Sequence, residues 1–186
     1  MLRFDEKIVN LYIRLCVEEE LGLSYDNLLY SFLSFSWKHS FLDIYRCIER
    51  LFFIPRTEVF YNAICSKKIN YSQISFIDFS KKLEESTGWK PNEQDSLEQL
   101  LEVIEDGNLE LFNKLQKIAN FPYQESDKNN KITKITAKFI YTLRNNIVHF
   151  RPINEEKNYN DEEWNIIIEF CLEVVIDLYK KYKKYL

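Results

Sequence analysis

Arg144, Asn145 and His149 are the residues of this chain whose types and spacing suit chemistry on a phosphodiester. His149 is one of only two histidines, and four residues separate it from Arg144. An imidazole titrates near neutral pH. It can take a proton from a ribose 2′-hydroxyl or give one to a departing 5′-oxygen. A guanidinium stays charged and grips phosphate oxygens through paired hydrogen bonds. Asn145 adds an amide able to orient a phosphate or the imidazole. These groups form a minimal set for cutting RNA without a metal. Competing chemistries lack their residues. Gly22, Gly88 and Gly107 are too scattered for a phosphate-cradling loop, and no HExxH occurs. Cys16, Cys47, Cys65 and Cys171 form no CxxC pair and no ligand spacing with His39 or His149. They read as small apolar residues on helices in a reducing compartment, with no metal or cofactor expected. His39, beside Trp37 and Lys38, reads as structural or solvent-facing.

The element that must position this set runs from about Lys131 to Val148. At about 100° per residue, Ile132, Ile135, Phe139, Leu143 and Ile147 share one side, with Ile140 at its edge. That side is the expected core face. Lys131, Lys134, Lys138 and Asn145 fall opposite. The lysines are a candidate stripe for an RNA backbone, and the alternative is an ordinary solvated face. Arg144 and His149 are separated by about 140° on an ideal helix, so they do not face each other. Two arrangements resolve this. The helix can end before His149, because Phe150-Arg151-Pro152 follows and the residue before a proline disfavours helical angles. Alternatively, two chains lay their motif helices side by side and share one site.

Few turn residues and many long side chains predict long helices for the rest of the chain, with 3 Gly and 4 Pro against 14 Phe and 12 Tyr. A first helix is expected over Leu2 to Leu21, ended by Gly22. A second is expected from about Asn27 to Phe53, stopped by Pro55, with a break near Ser34-Phe35-Ser36. Its apolar positions are dense enough for burial on more than one side. Shorter helices are expected over Arg56 to Cys65, from Ser72 to near Gly88, around Leu97 to Ile104, and over Leu109 to Ala119. Pro91 to Asp95, Gln124 to Asn130 and Pro152 to Asn160 read as loops. Asp161 is expected to cap a last long helix. At 186 residues this is one domain spanning 1–186, an all-α bundle of long antiparallel helices with a few short extra ones.

The formal net charge of −4 excludes a generally polybasic nucleic-acid binder, so RNA contact must come from a local basic patch. No apolar run reaches the roughly 18 residues of a membrane span. The N-terminus lacks a signal-peptide core, and a cytoplasmic location is expected.

Arg144-Asn145-Asn146-Ile147-Val148-His149 resembles the signature of HEPN domains: an arginine, often followed by asparagine, then a histidine a short step later. The all-α pattern and the helix over Trp37 to Phe53 also look like that family. The resemblance implies a metal-independent endoribonuclease that leaves a 2′,3′-cyclic phosphate and a 5′-hydroxyl. It implies a homodimer through the motif helix, and a toxin or antiphage effector held by an antitoxin or another regulatory partner. It also implies a polar residue on the early helix that points at the motif. Glu49 or Asp43 fits that part by holding Arg144, against an ordinary ion pair of Glu49 with Arg46 or Arg50. HEPN toxins controlled by a nucleotidyltransferase often carry tyrosine two positions after the histidine. This chain departs with Arg151, a candidate phosphate contact. A HEPN-like module that only dimerises or binds RNA is the alternative.

Overall fold

The computed structural model describes residues 2–18, 21–65, 75–87, 92–119, 131–149 and 158–186. Arg151, the loop over residues 124–130 and Ser72 lie outside them. The regular structure among the described residues is all helical, with no strand among them: α1 (Glu6–Ile13), α2 (Tyr25–Leu33), α3 (Trp37–Glu49), α4 (Ile54–Cys65), α5 (Phe76–Thr87), α6 (Glu93–Glu102), α7 (Glu105–Ala119), α8 (Ile132–Val148) and α9 (Asp161–Tyr182). The all-α expectation holds, and among the described residues no helix is long and apolar enough to cross a membrane.

The central element is α9, whose apolar residues are buried on more than one side, from Trp164 and Ile167 to Tyr179 and Tyr182. It packs on α3, α1 and α7. Its start is set one residue before the expected cap. The Asn160 side chain accepts from Glu163 N–H, and the Glu163 carboxylate accepts from Asn160 N–H. This reciprocal box satisfies two amides that the helix leaves open. Lys180 and Lys181 sit in its last turn, where the helix dipole favours cations.

Two long helices expected from periodicity are shorter in the structure. The first regular helix covers Glu6–Ile13 and widens into a π-helical turn over Arg14–Glu18. Gly22 then takes a left-handed φ of 69°, which glycine adopts without the usual Cβ clash. The second breaks at the expected place. Ser34 Oγ accepts from Ser36 N–H and donates to Ser36 C=O, so the serines bond each other rather than continue the ladder. Pro55 starts α4 rather than stopping its predecessor, consistent with proline's place in a first helical turn. Asp106 to Asn108, which read as the gap between the helix around Leu97 to Ile104 and that over Leu109 to Ala119, lies instead within α7, where Asn108 is non-helical and its amide donates to Ile104 C=O and Asp177.

The motif helix α8 packs on α6 and α7 and touches α3. Its buried face is turned from the expected one. Thr133, Thr136 and Ala137 are buried with Ile132, Phe139, Ile140 and Leu143, while Ile135 and Ile147 are only half-buried. Small side chains at 133, 136 and 137 let a neighbouring backbone approach closely, so packing rather than side-chain apolarity set the rotation. Tyr159 packs edge-on against Phe139 and Trp164, and so ties the start of α9 to α8.

Candidate functional site at the end of the motif helix

Arg144 leaves α8 on the flank that meets α3 and α6. Its Nη2 donates to Glu49 Oε1 at 3.4 Å, from the last turn of α3. Its Nη1 donates to Asn145 Oδ1 at 2.9 Å and lies 3.6 Å from Glu93 Oε2, at the first residue of α6. The guanidinium carbon stands 5.9 Å from the centre of the Tyr45 ring. Only 19% of the side chain is exposed. Two carboxylates therefore face one guanidinium over an aromatic floor. Burial raises the Tyr45 phenol pKa well above its ordinary range, and the Glu93 charge adds to that rise. Tyr45 Oη and Glu93 Oε2 are both buried without a hydrogen-bond partner among the described residues.

His149 lies outside this cluster. The helix ends at Val148, and His149 takes φ −111° and ψ 88° as its cap, with its N–H donating to Asn145 C=O at 2.8 Å. The helix stops before the histidine, as one of the two expected arrangements has it, but this does not bring His149 to Arg144. The side chain is exposed and borders a concavity of about 290 Å³ lined also by Gln94, Lys138, Tyr141, Asn145 and Asn146. Arg144 is not among its lining residues. Asn145 alone belongs to both places: it borders the concavity and accepts the Arg144 hydrogen bond.

The remaining expected residues separate. Glu49 holds Arg144, so the alternative pairing with Arg46 or Arg50 is not the one seen. Asp43 does not share that role; it pairs with Arg46 on its own helix. Six residues before Glu49 on a helix place it about 9 Å away and turned by roughly 120°. Lys131 is tied to Glu102 at 2.8 Å, which raises its pKa, while Lys134 and Lys138 stand exposed on the outer face. His39 is exposed, as expected for a residue without a site role.

Glu93, Gln94 and Tyr45 were not expected at the site. Pro91 to Asp95 reads as a loop from composition, yet the helix starts at Glu93. Asn92 Oδ1 accepts from the N–H groups of Gln94 and Asp95. The signal was there: an asparagine before acidic residues and an apolar stripe is an N-cap pattern. Tyr45 carries only a core signal, because its spacing matches Phe41 and Ile48 on the buried face of α3.

No protein-family model, curated protein or solved structure matches this chain.

Proposed function

We propose that this chain is a metal-independent endoribonuclease of the HEPN type. The observation that carries the reading is the convergence of His149, Lys138, Asn145 and Asn146 on one concavity at the end of α8, with Arg144 bonded to Asn145. In this reading a ribose 2′-oxygen attacks the adjacent phosphorus. His149 takes the 2′-hydroxyl proton or supplies one to the departing 5′-oxygen. The P–O5′ bond breaks, leaving a 2′,3′-cyclic phosphate and a 5′-hydroxyl. Lys138, with Lys134 beyond it, neutralises the strand. Asn145 orients the phosphate or the imidazole and is itself held by Arg144, whose charge acts on the phosphorane from behind it. The HEPN resemblance extends the reading to a toxin or antiphage effector restrained by an antitoxin or other regulatory partner. The reading keeps the homodimer through α8 that the HEPN resemblance implies, because the helix end leaves His149 apart from Arg144 within one chain.

The test is cleavage of a labelled structured RNA by the purified chain in EDTA, run beside His149→Ala. Cleavage by the parent and none by the variant supports the reading. Equal rates sink it. The growth of cells expressing either form gives an independent readout of toxicity.

One observation favours a second reading, a HEPN-like bundle that binds RNA without cutting it. Glu49 and Glu93 occupy Arg144, as expected of an arginine that braces three helices. RNA binding that persists in His149→Ala, with no cleavage by either form, selects that reading.

A further inference from the structure

Two residues that line the concavity at the end of α8, Tyr141 and Gln94, take no part in the chemistry proposed above. Lys138, Tyr141 and Asn145 recur at helical spacing and fall within an arc of about 60°. With His149 at the cap they form one file along the groove, about 16 Å long at 1.5 Å per residue. Gln94 borders the same groove from the first turn of α6. Tyr141 is half-buried and packs against the core, so its ring is anchored. Among the described residues no other ring stacks on it, and the Gln94 side-chain amide makes no hydrogen bond. No carboxylate is among the lining residues. Two other concavities, of about 450 and 380 Å³, do carry carboxylates, Glu6 and Glu173 in one and Glu169 and Asp177 in the other. Glu93, next to Gln94 in sequence, turns its carboxylate to Arg144. The groove therefore suits a ligand that is anionic along one edge and flat and polar at the other. Its volume of about 290 Å³ is at the low end of small-ligand pockets, room for one nucleotide and not for a duplex.

We propose that Tyr141 and Gln94 hold the unpaired base of the nucleotide whose 2′-oxygen attacks, which makes single-stranded RNA the substrate class. The identity of that nucleotide rests on the endoribonuclease reading, while the base subsite stands on the groove itself. The base lies flat on the Tyr141 ring, since every base has a π-face. The Gln94 amide offers one donor and one acceptor side by side and pairs with the base edge, as glutamine does with adenine. The ribose then falls beside Asn145, about 6 Å further along the helix, and its 3′-phosphate reaches His149. Lys138, on the other side of Tyr141, meets the 5′-phosphate. A paired base cannot take this place, because its faces are stacked and its edge is occupied. Holding the base also turns the ribose. The 2′-oxygen attacks only when it is in line with the departing 5′-oxygen, and a regular duplex holds it out of line.

The experiment has two arms, both in EDTA. Fluorescence anisotropy in the His149→Ala background measures binding of short labelled RNA strands of A, C or U, and of the A–U duplex of the same length. End sequencing of a long RNA treated with the chain carrying His149 maps the base on the 5′ side of each cut. Tyr141→Ala should weaken single-strand binding by about fivefold or more, as the loss of one stacked base does. Tyr141→Phe keeps the ring and should restore that binding. Gln94→Ala should narrow the differences among the three strands and among the cut sites, with an unchanged melting temperature. Duplex binding as tight as single-strand binding overturns the proposal, and so does parental affinity in both Tyr141→Ala and Gln94→Ala. Binding that depends on Tyr141 and Gln94 in a chain that cuts nothing supports the base subsite and sinks the nuclease reading alone. Cleavage whose base preference neither variant moves overturns the subsite and leaves the nuclease reading standing.

Discussion

Arg144→Ala should destabilise this protein by about 2.5–3.5 kcal/mol, a cost that follows from what surrounds the guanidinium. Each ion pair, to Glu49 and to Glu93, involves a carboxylate more than a third exposed, so solvent screening holds it to about 0.5–1 kcal/mol. The contact with Tyr45, at the edge of the useful range, adds about 0.5 kcal/mol. Loss of the partly buried stem adds about another 1 kcal/mol at 0.8 per methylene. For a domain of this size the total lowers the melting temperature by roughly 5–14 °C. Thermal and urea unfolding followed by circular dichroism measure it. His149→Ala, at an exposed helix end, should stay within about 0.5 kcal/mol of the parent. Two further results belong to the same reasoning. Glu93→Gln in the Arg144→Ala background should recover part of the loss, because the variant leaves two carboxylates facing each other. High salt should shrink the difference between parent and variant. If Arg144→Ala melts within about 1 °C of the parent, the guanidinium is not braced as described, and Arg144 is a freely available phosphate ligand.

Lys134→Glu with Lys138→Glu should weaken RNA binding and flatten its salt dependence by about 0.7 per lost contact on a single strand. Lys131→Glu should change the slope less, because Glu102 already engages Lys131; equal slopes for all variants would assign the stripe to solvent. Arg144→Ala and His149→Ala should each abolish RNA cleavage in EDTA, with the double variant little worse than either, as groups acting together are strongly non-additive. Arg144→Lys should fail as well, since a point charge cannot replace a planar fork between two carboxylates; single-turnover rates on labelled RNA check all four. At pH 8 Cys16, which is exposed, should react with an aromatic disulfide reagent before the buried Cys47 and Cys171. Burial pushes the Cys47 thiol up to about 11 and raises the buried Cys171 thiol as well, so both stay protonated at that pH and react only as the protein opens. Rapid native labelling of Cys47, read by mass spectrometry, would contradict that burial.

Elements whose borders carry chemical punctuation were legible in the sequence, and those set by tertiary packing were not. α8 begins and ends within a residue of its expected span, because a polar segment precedes it and Pro152 follows soon after it. The break in the second helix was visible as Ser34-Phe35-Ser36, where serine side chains compete for the backbone. The π-helical turn after α1 had no such mark: Leu15 and the residues around it keep a helical rhythm through it. The rotation of α8 was hidden for a related reason. Thr133 and Thr136 read as neutral in a hydrophobic pattern, yet their small size brings them to the packed side. At the site, Arg144, His149 and Glu49 could be picked out by type. Glu93 could not be placed, because its contact with Arg144 joins positions 51 residues apart on different helices, and no periodicity encodes such a meeting.

Charge is segregated around α8, and that resolves the tension between an acidic chain and the RNA substrate proposed for it. The carboxylates nearest the motif, Glu49 and Glu93, are turned toward Arg144 on the inner flank. Lys134 and Lys138 stand on the outer face, with His149 at its end. A strand approaching from outside therefore meets cations and an imidazole first, whatever the net charge, because local placement governs the potential at close range. The same segregation separates the two halves of the motif by function. His149 borders the concavity, where the proposed reaction would have it touch substrate. Arg144 holds Asn145 and carries a half-buried positive charge behind it. In the nuclease reading Arg144 is therefore a positioning residue, and its loss acts on cleavage through the fold of α3, α6 and α8 as well as through charge. Loss of His149 has no such second route, so a matched melting temperature with abolished cleavage is the signature expected of His149→Ala alone.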